Sequence, residues 1–166
     1  TYGVRQLEPI KTREQHFVSL VHNIVAKKRG NCLIPVFALG KAQELLLILE
    51  EFWEANPTLQ SIPIYYASML AQRCMSVYQT YTNMMNKNVK DKAQIRNPFH
   101  FKYIKNMTSM NDLKTNGPCV ILASPGFLQN GLSRQLLEKW CTDKKNGVII
   151  AGYSVEGTMA SHILKE

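Results

Sequence analysis

Hydrophobic positions along this chain switch repeatedly between short apolar runs and helical stripes. The central example lies between Pro118 and Thr158. Pro118 to Ser124 is a β-branched apolar run that stops at Pro125-Gly126, where proline removes a backbone donor and glycine permits a turn. Leu132, Leu136, Leu137 and Trp140 then recur at helical spacing, and Val148 to Ala151 is a second apolar run. A helix between two buried strands predicts a parallel βαβ unit, whose ligand side is the carboxyl end of the strands. That points to two loops, Ser124 to Ser133 and Gly152 to Thr158.

The same alternation extends through the chain. Phe17, Leu20, Val21, Ile24 and Val25 predict a first helix, started by a Thr12/Gln15 capping box and ended at Gly30 after Lys27-Lys28-Arg29. Asn31 to Phe37 predicts a strand in which Pro35 forces a bulge or an unpaired position. Ala38-Leu39-Gly40 leads into a helix from Lys41 to about Ala55, apolar almost all round and so sandwiched between layers. Ile62 to Ala67 predicts a strand, and Ser68 caps a helix with Leu70, Cys74, Val77, Tyr78 and Tyr81 on its inward face. Lys87 to Arg96 breaks into a basic loop or a frayed helix end. Phe99 to Ile104 alternates as a half-exposed edge strand, and Met110 to Lys114 makes a short helical turn. Repeated strand-then-helix steps predict an α/β fold, a doubly wound, mainly parallel sheet with helices on both faces.

Composition narrows the partner. The 166 residues suit one domain, and 20 Lys+Arg against 12 Asp+Glu leave a formal +8 that favours a polyanion such as nucleic acid. Cys32, Cys74, Cys119 and Cys141 stand singly, as buried free thiols of a reducing, intracellular compartment would. No apolar run reaches the roughly 18 to 20 residues of a membrane span, so no membrane partner is expected.

Chemistry of a self-sufficient enzyme is missing. His16, His22, His100 and His162 have no second ligand at metal spacing, and Ala-Ser-Pro-Gly around Ser124 lacks a hydrolase nucleophile elbow. What remains suits binding. Gly40 and Lys41 at a helix start suit an anion, as do Ser124, Gln129, Asn130, Ser133 and Arg134 around the next, while Tyr153 offers a ring for stacking on a base.

Leu33 to Leu46, Ile62 to Ser68, Ala123 to Gly126, Gly131 to Arg134, Trp140 to Tyr153 and Glu156 to Thr158 together resemble the β-CASP domain of metallo-β-lactamase-type RNA nucleases. The resemblance covers nearly the whole chain. Within that family it is to members that cut pre-mRNA ahead of poly(A) addition. The related Integrator-type RNA endonuclease is the alternative, against which the Trp140 to Asn146 run argues. It implies that residues 1–166 form a single domain inserted in a lactamase fold, with both termini leaving from one side. It implies a nuclear enzyme with two zinc ions held by the lactamase part of the same chain, and pre-mRNA and other subunits of the cleavage and polyadenylation complex as partners. It assigns no catalytic residue and no metal ligand to this chain, so the isolated domain is expected to be inactive. Lys41, Ser124, Arg134, Tyr153, Glu156 and Thr158 are the residues it implies for lining the RNA path. A non-catalytic scaffold that binds protein partners is the rival reading.

Overall fold

Five short strands form one sheet in the order β3-β2-β4-β1-β5, all parallel. They are β1 Cys32–Pro35, β2 Ile64–Ala67, β3 Ile104–Met107, β4 Val120–Ala123 and β5 Gly147–Val148. The structure, a computed structural model, describes residues 8–95, 97–113 and 117–165. Expectations resting on the placing of the termini, on Arg96 and on Lys114 lie outside these residues.

β1, β2 and β4 are buried at every position, as strands covered on both faces must be. Their side chains alternate between two cores. Cys32, Ile34, Ile64, Tyr66, Val120 and Leu122 meet Phe17 and Val21 of α1 (Ile10–His22), and Leu45, Leu46, Leu49 and Trp53 of α2 (Lys41–Ala55). Met75 of α3 (Met69–Thr80) joins them, and Val89 of α4 (Lys87–Ile95) packs at the margin. On the other face Leu33, Tyr65, Ala67, Ile121 and Ala123 meet Leu136 and Trp140 of α5 (Gly131–Trp140) and Ala160 of α6 (Met159–Lys165). Each fully buried Leu or Ile is worth about 2 kcal/mol of transfer free energy, so the two layers hold the sheet without help from its edges.

The doubly wound parallel sheet and the extent of the helix from Lys41 to Ala55 are as the pattern predicts, but that helix is not sandwiched: Ala42, Leu45, Leu46, Leu49 and Trp53 are buried while Lys41, Glu44, Glu51 and Glu54 are exposed. Several details differ, each for a visible reason. Thr12 and Gln15 form no capping box, because α1 starts a turn earlier, after Pro9, with no side-chain cap. Gly30 is not the left-handed residue at the helix end; Arg29 is, with φ 54° after a π turn over Asn23–Lys27. Residues 99–103 are not a strand. The Glu50 carboxylate accepts the amides of Lys102 (2.6 Å) and Tyr103 (3.2 Å), so pairing begins only at Ile104, although β3 is indeed the sheet edge. The basic run from Lys87 is a helix rather than a loop. On α3, Met75 is buried and Tyr78 half-buried, whereas Leu70, Val77 and Tyr81 of the expected inward stripe are exposed.

Pro35 makes no bulge: it stays in register with Ala123. Cys32 and Val36 donate to β4 (2.8 and 2.9 Å), whereas Leu33 and Asn31 exchange with β5, so the nitrogen of Pro35 points at β5. The β5 ladder ends at Leu33↔Val148, one step before the missing donor would be needed. The expected strand from Val148 to Ala151 is accordingly cut to Gly147–Val148, with one further bond from Ile149 to Leu33 (2.9 Å).

Candidate nucleic-acid interface

β1 and β4 are neighbours, yet their chains leave in opposite directions. Beyond β1, residues 36–40 lead to α2 on one face; beyond β4, residues 124–130 lead to α5 on the other. Such a switch point opens a crevice at the strands' carboxyl ends. A narrow slot of about 40 Å³ lies there, lined by Val36, Phe37, Lys41, Gly126, Phe127 and Tyr153. It shares Lys41 and residues 150–152 with a larger groove of about 440 Å³, whose far wall is Arg13, Glu14, His16 and Phe17 of α1.

The slot is held by backbone and ring contacts. A side chain on Gly126 would sit 3.3 Å from backbone atoms of Val36 and Phe37, so only glycine lets the two loops approach this closely without displacement. The Phe37 and Phe127 rings meet edge to face, with centroids 4.9 Å apart at 87°. Ser133 returns to the end of β4 through Oγ to the Pro125 carbonyl (2.7 Å) and N–H to the Ser124 carbonyl (3.4 Å). The second loop is tied to the first where Ala160 N–H donates to the Phe127 carbonyl (3.3 Å).

Of the six residues proposed from sequence, Lys41 and Tyr153 come together in the slot. Lys41 Nζ is 2.9 Å from Glu44 Oε2 in an exposed pair, and the Tyr153 ring is 76% exposed. Ser124 contributes its carbonyl to the turn into α5. Thr158 caps α6, accepting from Ser161 N–H (3.3 Å) while donating to the Val155 carbonyl (2.6 Å). Ser124, Arg134, Glu156 and Thr158 are not among the lining residues; Arg134 pairs with Glu138 (2.6 Å) and Glu156 with Lys165 (3.1 Å). Sequence reasoning missed Phe37, an exposed aromatic just beyond a strand, and the α1 wall, whose polar face looked like ordinary solvated surface.

Beneath the slot Tyr66 Oη donates to the Ala38 carbonyl (2.7 Å), and Gln43 Nε2 donates to the same carbonyl (3.1 Å) and to Tyr66 Oη (3.3 Å). Burial pushes the Tyr66 hydroxyl up to about 12 from an ordinary 10.0, partly offset by its Gln43 hydrogen bond. It is therefore a fixed donor that holds the β1–α2 loop.

The slot combines a helix start, a lysine and the aromatic rings of Phe37 and Tyr153. Gly40, in a left-handed conformation with φ 88°, begins α2 without a side-chain cap, and the Lys41 ammonium beside it is paired with Glu44 (2.9 Å), a pair that an anion at this helix start would have to displace. Phe37 and Tyr153 offer faces for bases. Among the described residues no three His, Cys, Asp or Glu side chains converge to hold a metal ion, so no step of chemistry is routed through one here.

The fold is a doubly wound parallel domain of the α/β class, with Lys41, Phe37 and Tyr153 brought together at its switch point. The sequence pattern of the Beta-Casp domain matches residues 42–163, and the chain belongs to that family. Across its full length it is 60% identical to cleavage and polyadenylation specificity factor subunit 3 of Dictyostelium discoideum. It is 58% identical to cleavage and polyadenylation specificity factor 73 of Drosophila melanogaster and 52% to subunit 3-I of Arabidopsis thaliana. It spans 21%, 24% and 24% of those proteins, about a fifth to a quarter of their length.

Proposed function

We propose that residues 1–166 are a single β-CASP unit, the substrate-positioning lid of a nuclear, zinc-dependent RNA endonuclease that cleaves pre-mRNA at its 3′ end before polyadenylation. The lactamase part of the same chain holds the two zinc ions and supplies the hydrolytic chemistry. This domain orients the RNA, with the other subunits of the cleavage and polyadenylation complex as partners. The observation that carries the reading is the switch-point slot, lined by Lys41 at the start of α2 together with Phe37 and Tyr153, a cation and two aromatic rings suited to phosphate and base recognition.

The test is Lys41→Ala combined with Tyr153→Ala in the full-length enzyme. Loss of one stacking platform is worth about 1–3 kcal/mol, so RNA affinity is expected to fall about tenfold or more, with assembly and melting temperature unchanged. Unchanged cleavage with loss of a partner subunit would instead establish the scaffold reading. That rival has its own support in the exposed apolar residues Val77, Tyr81 and Met84 around the end of α3.

A further inference from the structure

The end of the sheet opposite the slot carries two basic tracts that are remote in sequence. Lys27, Lys28 and Arg29 close the first helical segment, and Lys144 and Lys145 lie in the turn before β5. The fold pins them together. Gly30 packs directly against the backbone of Lys145, the Asn31 N–H donates to Asn146 Oδ1 (2.7 Å), and Gly147 N–H donates to the Asn31 carbonyl (2.9 Å).

All five cations are exposed, and among the described residues none is in an ion pair. Asp143 is the one carboxylate in these two stretches, so a local excess of +4, half of the chain's formal +8, is gathered at one end of the sheet. Lysines at helix ends favour the dipole, but that accounts for one tract and not for its juxtaposition with the other. None of the exposed large hydrophobic side chains falls in residues 21–36 or 128–152. Protein interfaces are anchored by aromatic or apolar side chains at their centre, whereas phosphate recognition needs only clustered cations. We infer that this end is a second, sequence-independent RNA-binding surface, taking the phosphate backbone of substrate that extends beyond the slot. The inference rests on the RNA-positioning reading of the domain.

The experiment uses the full-length enzyme with two RNAs, a short one sized for the slot and a long one with flanking nucleotides. Single-stranded RNA contributes about 0.7 to the salt slope for each phosphate contact, so three contacts are worth about 2 in slope. Lys28→Glu/Lys144→Glu/Lys145→Glu is expected to lower affinity for the long RNA about tenfold near 0.1 M salt and to flatten its salt dependence by that amount. Cleavage of the short RNA should stay at the unsubstituted rate. Lys144→Gln/Lys145→Gln, which reverses no charge and leaves the helix end intact, should show a smaller loss in the same direction. Equal affinity and slope for the long RNA in all three proteins overturns the inference while leaving the slot reading standing, as does loss of an acidic protein partner with RNA binding intact. Unchanged affinity for the short RNA in the Lys41→Ala/Tyr153→Ala enzyme would overturn the slot reading itself.

Discussion

Replacing Gly30 by alanine tests whether the segment before β1 and the turn before β5 are locked where the structure puts them. An ideal Cβ there would fall 2.0 Å from the Lys145 carbonyl oxygen, 2.3 Å from its carbon and 2.8 Å from Asn146 N. Non-bonded heavy atoms settle near 3.5 Å or beyond, so the Lys145 backbone must retreat by about 1.5 Å. The bonds beside it, Asn31 to Asn146 Oδ1 and Gly147 to the Asn31 carbonyl, would stretch beyond useful length. Two lost hydrogen bonds contribute about 2 kcal/mol and overpacking about 1–3 kcal/mol, from which roughly 0.5–1 kcal/mol is recovered because alanine restricts the unfolded chain. A net destabilisation of about 3 kcal/mol follows, or roughly 10 °C in melting temperature for a chain of this size. Gly147→Ala is the control, because its Cβ would meet only Ile24 side-chain atoms, Cδ1 at 2.5 Å and Cγ1 at 2.9 Å, which can rotate away. Its effect should be near 1 kcal/mol. Urea unfolding of the 166-residue chain, read at constant slope, measures both. A Gly30→Ala protein within about 1 kcal/mol of the parent, or less affected than Gly147→Ala, would refute the reasoning.

Two further outcomes are expected. Burial pushes the Cys119 thiol up to about 12 from an ordinary 9.0 and, with the neighbouring Cys119 thiol as a second cause, raises Cys32 as well. The unfolded chain then ionises first, so the stability these thiols contribute is fully present below about pH 9 and is lost as pH rises toward 12. The urea midpoint should fall between pH 8 and pH 10, and Cys119→Ala should flatten that fall; a midpoint that rises with pH would contradict it. Tyr66→Phe removes the 2.7 Å bond to the Ala38 carbonyl and should lower stability by about 1–2 kcal/mol in the same assay, with hydrogen exchange rising in residues 37–40.

Most of the architecture was legible because it rests on periodicity. Buried strands such as Val120–Ala123 read as unbroken apolar runs, and α2 carries a stripe too long for any other element. What escaped depends on partners far away in the chain. The alternation from Phe99 to Ile104 is a sound strand signal, yet the Glu50 side chain 52 residues earlier takes the amides that a ladder would use. Leu70, Val77 and Tyr81 make a valid helical stripe, but α3 packs with Met75 and Tyr78 inward, and the choice belongs to its neighbours. In the slot, Lys41 and Tyr153 were found because strand-to-helix loops mark ligand ends of parallel sheets. Arg134 was drawn off by Glu138, one helical turn along, an attraction visible in sequence only as an ordinary i, i+4 pair.

Proline 35 sets the reach of the outermost ladder. A residue with an amide at that position could hold the chain beyond Ile149 flat against β1, continuing the sheet toward its carboxyl edge. Without that hydrogen the strand is let go early, and the released residues 150–153 swing across the mouth of the sheet to become one wall of the slot. A single absent donor, at the last residue of a buried strand, thereby converts what would have been sheet edge into a receptive surface.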